Sequence, residues 1–276
     1  MRALPTLLAL ISLPATLTCA WAAGLNDTGQ IQCYDASGNP VACSVSGDDA
    51  RYGRDAAAQA GKLTKTGAGV AGFDYTKVCN SGELAGQGAC PASPALGSAA
   101  TDWGCTQDNV TGLIWEVKTT DNGLRDKGWT YTWYSTDDAS NGYNGVDNQA
   151  TARGGGVGAN TCGGTLSGYA NQCNTANYVA AVNALTGASR LCGATDWRMP
   201  ALKEMQGLVD FAVPATGANP IIDSTYFPNT VIRWYWTATN YAADPASAWN
   251  VGFDDGVSNA HDKPNGGRVR LVRGGQ

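Results

Sequence analysis

The sequence predicts an α+β domain with two helices and short antiparallel strands, stapled by disulfides. Two helical patterns come close together and are followed by several short strand patterns, whereas a parallel sheet would need helices and strands to alternate. The 36 glycines and the charged fraction of 15% argue against a long helical bundle. Eight cysteines remain once the first 22 residues are set aside, and full pairing needs an even number.

The first 22 residues are predicted to be a signal peptide. Arg2 precedes a short apolar run, and residues 20–22 (AWA) form an A-x-A cleavage pattern. Polar residues interrupt the run, and no later segment approaches the length that crosses a bilayer about 30 Å thick. The mature chain is therefore expected to be secreted, to the periplasm or the cell surface, with no membrane-spanning segment. Lipidation at Cys19 is a less favoured alternative, because Thr18 is not the small residue that such sites prefer.

The spacing of the eight cysteines predicts four disulfides. Three pairs enclose only nine or ten residues each, a gap that suits the closure of a hairpin or loop. These pairs are Cys33 with Cys43, Cys79 with Cys90, and Cys162 with Cys173. By elimination Cys105 pairs with Cys192 and forms a long-range staple. A metal site is the weaker interpretation, because the sequence has no C-x-x-C pair and His261 is its only histidine.

Residues 23–100 are predicted to form a small, turn-rich N-terminal region that is rich in Gly, Ala, Asp and Ser. A hairpin is expected over residues 31–43, with its turn at Ser-Gly-Asn-Pro. Residues 51–60 favour a short helix, and residues 82–97 favour a loop pinned by a disulfide. None of these pieces has enough apolar residues to build a large core alone.

Residues 101–276 are predicted to form the main domain, which holds eight of the nine tryptophans. Asn174 is a suitable N-cap for a helix over residues 175–185. Pro200 suits the first turn of a second helix over residues 201–211. Strands are predicted at residues 113–115, 131–133, 234–237, 249–253 and 268–273, with a hairpin turn at 254–256.

Five motifs of this domain occur in the order of a known family. They are DNVTGLIWE at residues 108–116, CGATDWRMP at 192–200, WTAT at 236–239, AWNVGF at 248–253 and RVRLVRG at 268–274. Together they resemble the Lcl C-terminal domain family, named for the C-terminal domain of a collagen-like adhesin, over about residues 101–275. More distantly, they are similar to the C-type-lectin-like fold. The resemblance implies that fold and a role in adhesion, glycan binding or surface display.

Two properties are not carried over by the resemblance. The sequence has no collagen-like Gly-X-Y tract, so adhesion through a trimeric stalk is not expected. The formylglycine-generating enzymes, which share the C-type-lectin-like fold, need redox-active or copper-binding cysteines in the C-terminal half. This chain has no cysteine after Cys192, so their oxidase activity is not expected either.

The sequence favours a binding protein over an enzyme. A hydrolytic triad would have to use His261, which is predicted to lie in a loop between strands, and no G-x-S-x-G motif accompanies it. The carboxylate pairs Asp137-Asp138 and Asp254-Asp255 are adjacent in sequence, so their side chains are expected to point apart. No catalytic residue is predicted, and an extracellular hydrolase is the least favoured alternative.

No cofactor is predicted, with calcium as an alternative. The candidate calcium ligands lie in a glycine-rich loop and are Asp138, Asn141, Asn144 and Asp147. Their spacing matches no EF-hand, so a solvated loop is the simpler interpretation. The net charge of −5 argues against nucleic acid as a partner, because phosphate binding calls for a basic face.

Aromatic residues are the main predicted ligand contacts. In an alternating strand Trp129, Tyr131 and Trp133 share one face, and flat indole rings stack on sugars or on apolar protein patches. The alternative is that these rings fill the core. A core position is expected for the tryptophans within the family motifs, which are Trp115, Trp197, Trp236 and Trp249.

Arginines near the end of the chain are a second set of candidates. Arg268 and Arg270 alternate with Val269 and Leu271, so both arginines share a strand face that is expected to bind sulfated or carboxylated glycans. Charges that protect an edge strand from aggregation are the alternative. Arg198, in contrast, is predicted to be structural, satisfied by a carboxylate or carbonyls near the second helix.

The leading hypothesis is a secreted or surface-associated, non-catalytic protein that presents three loops to a glycan or an extracellular protein. These loops are residues 226–233, 240–247 and 256–267. Further candidate contacts in or beside the loops are Tyr241, Asp255, Asn259 and His261. The alternative is a structural or envelope-assembly component whose N-terminal region docks to a partner protein.

Overall fold

The computed structural model describes residues 26–45, 48–135, 162, 166 and 173–274. Its strands are β1 (Cys33–Tyr34), β2 (Pro40–Val41), β3 (Tyr75–Cys79), β4 (Trp103–Asp108), β5 (Ile114–Glu116), β6 (Trp234–Asn240), β7 (Ser247–Gly252), β8 (Ser258–Asp262) and β9 (Val272–Arg273). Its α-helices are α1 (Gly53–Gln59), α2 (Thr175–Asn183) and α3 (Leu202–Gln206), with short 3-10 helices at Cys43–Val45, Asp49–Arg51, Gly187–Ser189 and Leu191–Gly193.

The strands form antiparallel sheets. β1 pairs with β2, the strands β3, β4, β5 and β9 form a four-stranded sheet in that order, and β6, β7 and β8 form a three-stranded sheet. The helices that accompany these sheets are short, and none within the described ranges is long and apolar enough to cross a membrane. The α+β class with antiparallel sheets is therefore confirmed.

The four expected disulfides are all present. They join Cys33 to Cys43, Cys79 to Cys90, Cys105 to Cys192, and Cys162 to Cys173. The long-range pair ties β4 to the 3-10 helix Leu191–Gly193, and both of its cysteines are buried. This staple fixes the turn ahead of α3 against the four-stranded sheet.

Strand β3 was not anticipated, and it joins the predicted N-terminal region to the main domain by pairing with β4. It pairs with β4 in a register that places Tyr75 opposite Asp108 and Val78 opposite Cys105. Phe73, just before β3, is also buried. The N-terminal region therefore contributes one strand of the four-stranded sheet and part of the core, which its own few apolar residues could not build alone.

Helix α2 begins as its cap residue predicts. The side chain of Asn174 accepts a hydrogen bond of 2.8 Å from the backbone N–H of Asn177, which satisfies one of the free amides of the first turn. Tyr178 and Val182 lie on the buried face. The helix ends at Asn183, two residues before the expected position.

Helix α3 is much shorter than the predicted helix over residues 201–211. It ends at Gln206, before Gly207, a residue type that propagates helix poorly. Leu208 and Val209 are buried in the turn that follows instead of on a helix stripe. The helical spacing of apolar residues correctly predicted that Leu208 and Val209 are buried. It wrongly predicted that the backbone at these positions is helical.

Arg198 has the structural role that was expected. Its two terminal nitrogens donate to the two carboxylate oxygens of Glu204, each at 2.7 Å, and one also donates to the carbonyl of Gly274 at 3.0 Å. Glu204 in turn accepts from the backbone N–H of Ala201 at 2.7 Å. This bidentate pair therefore links the start of α3 to the end of the last strand.

The closing segment, residues 267–273, forms a regular strand only at β9, although a strand over residues 268–273 was expected. Gly267 bridges to Tyr131, Arg268 to Tyr235 on β6, and Val272 both to Arg198 and to β5. The segment is irregular because it pairs in turn with several elements. It connects the three-stranded sheet to the four-stranded sheet.

Two buried clusters make up the core. One contains Trp133, Trp197 and Trp236, and the other contains Trp115 and Tyr235. Neighbouring residues of β6 thus enter different clusters, as the alternation of a strand requires.

Trp249 is an exception among the tryptophans expected in the core. It is only partly buried and packs edge-on against Tyr241, with 5.2 Å between ring centroids.

Candidate functional site

The aromatic face expected at residues 129–133 is not exposed. Tyr131 has 0% and Trp133 2% of its surface accessible, so that neither can contact an external ligand. Tyr131 packs against Tyr178 of α2, and the indole N–H of Trp133 donates to the carbonyl of Thr237 at 2.8 Å. The segment forms isolated bridges instead of the expected strand, because it is enclosed between α2, β6 and the closing segment.

Trp129 is partly buried, and its indole N–H donates to the carbonyl of Gly123 at 2.7 Å. Trp129 therefore keeps some exposed ring surface. Tyr131 and Trp133, which were expected to share this exposed face, are buried.

The arginine face expected at the end of the chain is also not formed. Arg270 is fully buried, donates to the backbone carbonyl of Glu116 at 3.0 Å and to the Thr230 hydroxyl at 2.7 Å, and lies over the Phe227 ring. Neither glycan binding nor protection of an edge strand fits this position. Arg268 is partly exposed, but its guanidinium donates to the carbonyls of residues 127, 128 and 129 and closes that turn.

A stacked pair of rings lies on one face of the three-stranded sheet and spans its central strand β7. Trp234 of β6 and His261 of β8 are partly exposed, with ring centroids 4.6 Å apart and planes inclined by 19°. Trp236 supports Trp234 edge-on at 4.8 Å. Gly267 lies directly under Trp234, where a Cβ atom would overlap the indole ring. His261 is thus part of a strand, and its expected position in a loop was wrong.

His261 is held by a buried amide. The Nδ2 atom of Asn250, a residue with 1% of its surface accessible, lies 2.7 Å from Nδ1 of His261. With the amide nitrogen donating, Nδ1 is the acceptor and the imidazole proton is on Nε2. Asn259, which is exposed on the edge strand, lies opposite Asn250 in the register of β7 and β8. We call Trp234, His261 and Asn259 the ledge.

The other predicted contacts lie away from the ledge. Tyr241 packs on Trp249, whose side chain points to the opposite face of the sheet from its neighbour Asn250. Asp255 is exposed in the turn between β7 and β8, where it accepts from the backbone N–H of Val257 at 2.9 Å. Of the predicted residues, only His261 and Asn259 come together in the ledge.

Trp234 was missed as a contact residue, although the sequence held a signal for it. In the run WYWT, Trp234 and Trp236 share one strand face. Trp234 is the first residue of the strand, a position that neighbouring elements cover less often than the middle of a strand.

The candidate calcium ligands Asp138, Asn141, Asn144 and Asp147, and the neighbouring Asp137, lie outside the described residues. Within the described ranges, the carboxylates of Asp27, Asp49 and Asp55 come within 4.8 Å of one another. Each accepts hydrogen bonds from the protein: Asp55 from Gly72 N–H, Asp27 from Asp55 N–H, and Asp49 from the Thr28 hydroxyl. These bonds attach the N-terminal segment to α1 and account for the cluster.

A further carboxyl group, that of Asp210, lies beneath this segment. Asp210 has 3% of its surface accessible, and burial raises its pKa to about 6, with the nearby carboxylates of Asp223 and Asp55 adding to the shift. Its oxygen accepts from the backbone N–H of Ala212 at 3.0 Å. At neutral pH the carboxyl group of Asp210 is therefore ionised in a buried environment that disfavours the charged form.

Asp210→Asn is expected to stabilise the protein at pH 7 by about 3 kcal/mol, at roughly 1.4 kcal/mol for each unit by which the pKa of Asp210 is raised. Because the native pKa is above the unfolded value, the wild type should lose stability as pH rises from about 4 through 6, and the variant should not. Urea unfolding of both proteins at pH 4 and pH 7 measures this. The partly exposed Asp254→Asn is the matched control, and an equal gain from Asp210→Asn at both pH values would contradict the assignment.

Comparison with known protein families identifies a family that covers most of the main domain. The model of the Lcl C-terminal domain matches residues 104–273, which is more than half of the chain. The matched range begins within β4, ends within β9, and contains the whole ledge. A search of curated proteins found no match.

Proposed function

Because the chain belongs to the Lcl C-terminal domain family, as its motifs predicted, we propose that it is an adhesin-like surface protein that binds a carbohydrate without catalysis. Four disulfides are consistent with an oxidising location outside the cytoplasm, since such bonds are rare in reducing compartments. A signal peptide and a C-type-lectin-like framework belong to the same proposal.

The ledge is the observation that supports carbohydrate binding. Stacking covers the facing sides of the two rings, and the C–H face of a sugar can pack on the ring surface that each residue leaves exposed. The Nε2–H of His261 and the amide of Asn259 stand beside that surface and can bond to sugar hydroxyls. Trp236, Gly267 and Asn250 hold the rings in place, so that binding costs little side-chain entropy.

The surroundings of His261 favour binding over catalysis. A histidine that acts as a general base is oriented by a carboxylate and is hydrogen-bonded to a nucleophile. Here Nδ1 faces the amide of Asn250, and among the described residues no serine or cysteine is hydrogen-bonded to the ring. The extracellular hydrolase is therefore not proposed.

The alternative of envelope assembly placed a docking function in residues 23–100. Because β3 is a strand of the four-stranded sheet, this region is integrated into the fold and is less suited to serve as a separate docking module. Ligand binding at the ledge does not require residues 23–100 to form a separate module.

Trp234→Ala is expected to weaken glycan binding by about tenfold or more, because it removes the aromatic anchor of the ledge. The measurement is binding of residues 23–276, with disulfides formed, to a glycan array, followed by titration of the best ligand. Trp249→Ala is the matched control, since Trp249 is also a partly buried tryptophan but lies on the opposite face. His261→Phe, which keeps the stack and removes the donor, should give a smaller loss.

Two results would contradict the proposal. One is a wild-type protein that binds no glycan on the array. The other is an equal loss of binding in Trp234→Ala and Trp249→Ala when circular dichroism shows both variants to be folded.

A further inference from the structure

A second site is found in a cleft of about 750 Å³ beside the end of β5. Its walls include leucines and several hydroxyl and amide side chains, and its charged residues are Lys118, Asp121 and Arg125. Leu96 on the wall has 47% of its surface accessible, which is high for a large apolar residue. A cleft of this size that combines apolar walls with a few charged groups has the properties of a small-molecule site.

The cleft borders a buried cluster with an excess of positive charge. Lys118 and Arg270 are both buried, and Glu116 is the buried carboxylate that acts on both. Glu116 pairs with Lys118 at 3.1 Å, whereas the guanidinium of Arg270 donates to a carbonyl and to the hydroxyl of Thr230. Arg125 adds a third positive charge that acts on Lys118. Two buried cations with one carboxylate are costly unless another anion compensates them.

Lys118 and Arg125 have N–H groups that donate to no acceptor within the described residues and can therefore donate to such an anion. Lys118 Nζ donates to Glu116 and to the hydroxyl of Tyr178, at 3.1 and 2.9 Å, which uses two of its three N–H bonds. One terminal nitrogen of Arg125 donates to the carbonyl of Val117 at 3.2 Å. Its other terminal nitrogen and its Nε have no partner within the described residues.

Asp121 supplies only part of the missing counter-charge, because its carboxylate attracts Arg125 but forms no salt bridge within the described residues. It is exposed at the mouth of the cleft, where one carboxylate oxygen accepts from the Thr119 hydroxyl at 2.7 Å and from the Gly123 N–H at 2.9 Å. Burial lowers the pKa of Lys118 to about 8 even though Glu116 acts in the opposite direction, which agrees with an ammonium group that lacks sufficient negative charge around it.

We propose that this cleft binds a small organic carboxylate, with its acid group against Lys118 and Arg125 and its apolar body against the leucine wall. The wall is formed by Leu96, Leu124 and Leu185. An inorganic anion would satisfy the charges but would leave these leucines exposed to water. The site is separate from the ledge and does not depend on the glycan proposal.

The test uses hexanoate and benzoate as probes, with hexanamide and benzamide as their neutral equivalents. Ligand-observed NMR and calorimetric titration of the full mature chain should show saturable binding of the carboxylates. The amides should bind about tenfold more weakly or worse, since they lack the charge that strengthens hydrogen bonds to Lys118 and Arg125. Equal affinity for amide and acid would overturn the proposal, and so would an absence of carboxylate binding.

Two variants locate the site. Ala188→Trp places a large ring in the cleft from the exposed 3-10 helix Gly187–Ser189 and should abolish carboxylate binding. Ala215→Trp, at an exposed alanine outside the cleft, is the matched control and should bind as the wild type does. Arg125→Gln should weaken binding by about tenfold. Trp234→Ala should leave it unchanged, which separates this result from that of the glycan test.

Discussion

Replacing Glu116 with alanine is expected to lower the free energy of unfolding by about 3–5 kcal/mol, which is typical when one partner of a buried ion pair is removed. Glu116 has 0% of its surface accessible. Its carboxylate accepts from Lys118 Nζ at 3.1 Å, from the Tyr178 hydroxyl at 2.5 Å and from the backbone N–H of Leu271 at 3.0 Å. The substitution would leave the buried ammonium group of Lys118 without a counter-charge and the backbone amide of Leu271 without its acceptor.

Urea unfolding followed by tryptophan fluorescence measures this loss. Glu83→Ala is the matched control, because Glu83 is only partly buried and accepts from Ser81 and Ala89 near the surface, so a loss below about 1 kcal/mol is expected. Adding Lys118→Met to Glu116→Ala should restore part of the stability, since it removes the unpaired charge. If Lys118→Met cost the same in both backgrounds, the pair would not be coupled and the argument would fail.

Removing the Cys105–Cys192 disulfide by double alanine substitution is expected to cost about 3–5 kcal/mol. The two cysteines are 87 positions apart and both are buried, so the bond restricts a long loop of the unfolded chain and adds no exposed link to the native one. The bond also holds the turn before Trp197 against β4, where a buried part of the core begins.

The Cys33–Cys43 disulfide provides the comparison. Its sequence separation is 10, so chain entropy predicts a loss about 2 kcal/mol smaller for its double alanine variant. The denaturation midpoints of the two variants and the wild type measure the two losses of stability. An equal or larger loss at Cys33–Cys43 would show that loop length does not govern the stabilisation.

Features that depend on local chemistry could be predicted from the sequence. The short disulfides follow from spacing, the start of α2 follows from the capping side chain of Asn174, and the β7–β8 turn follows from Asp254-Asp255-Gly256. Each involves residues close in sequence, so no knowledge of the tertiary structure is needed.

Burial of residues distant in sequence could not be predicted in this way. Alternation shows that Arg268 and Arg270 share a side of an extended segment, but not that Glu116 and Thr230 cover Arg270. The same holds for Tyr131 and Trp133, whose neighbours come from α2 and β6.

The candidate site was predicted only in part for the same reason. Residues 258–262 (SNAHD) have low β propensity, and β8 forms because β7 provides the pairing. His261 therefore seemed to belong to a loop. His261 contacts Trp234 across the intervening strand β7. This contact could not be predicted, because the two residues are on strands that are not neighbours.

The closing segment has a consequence for the order of events in folding. Residues 267–273 pair with β5, β6, the segment at Tyr131 and the turn at Arg198, so neither sheet has all its contacts until this stretch has been synthesised. Contacts between positions so far apart in the chain form slowly. Both sheets are therefore completed only after this segment has been synthesised, and until then the elements that it joins lack part of their pairing.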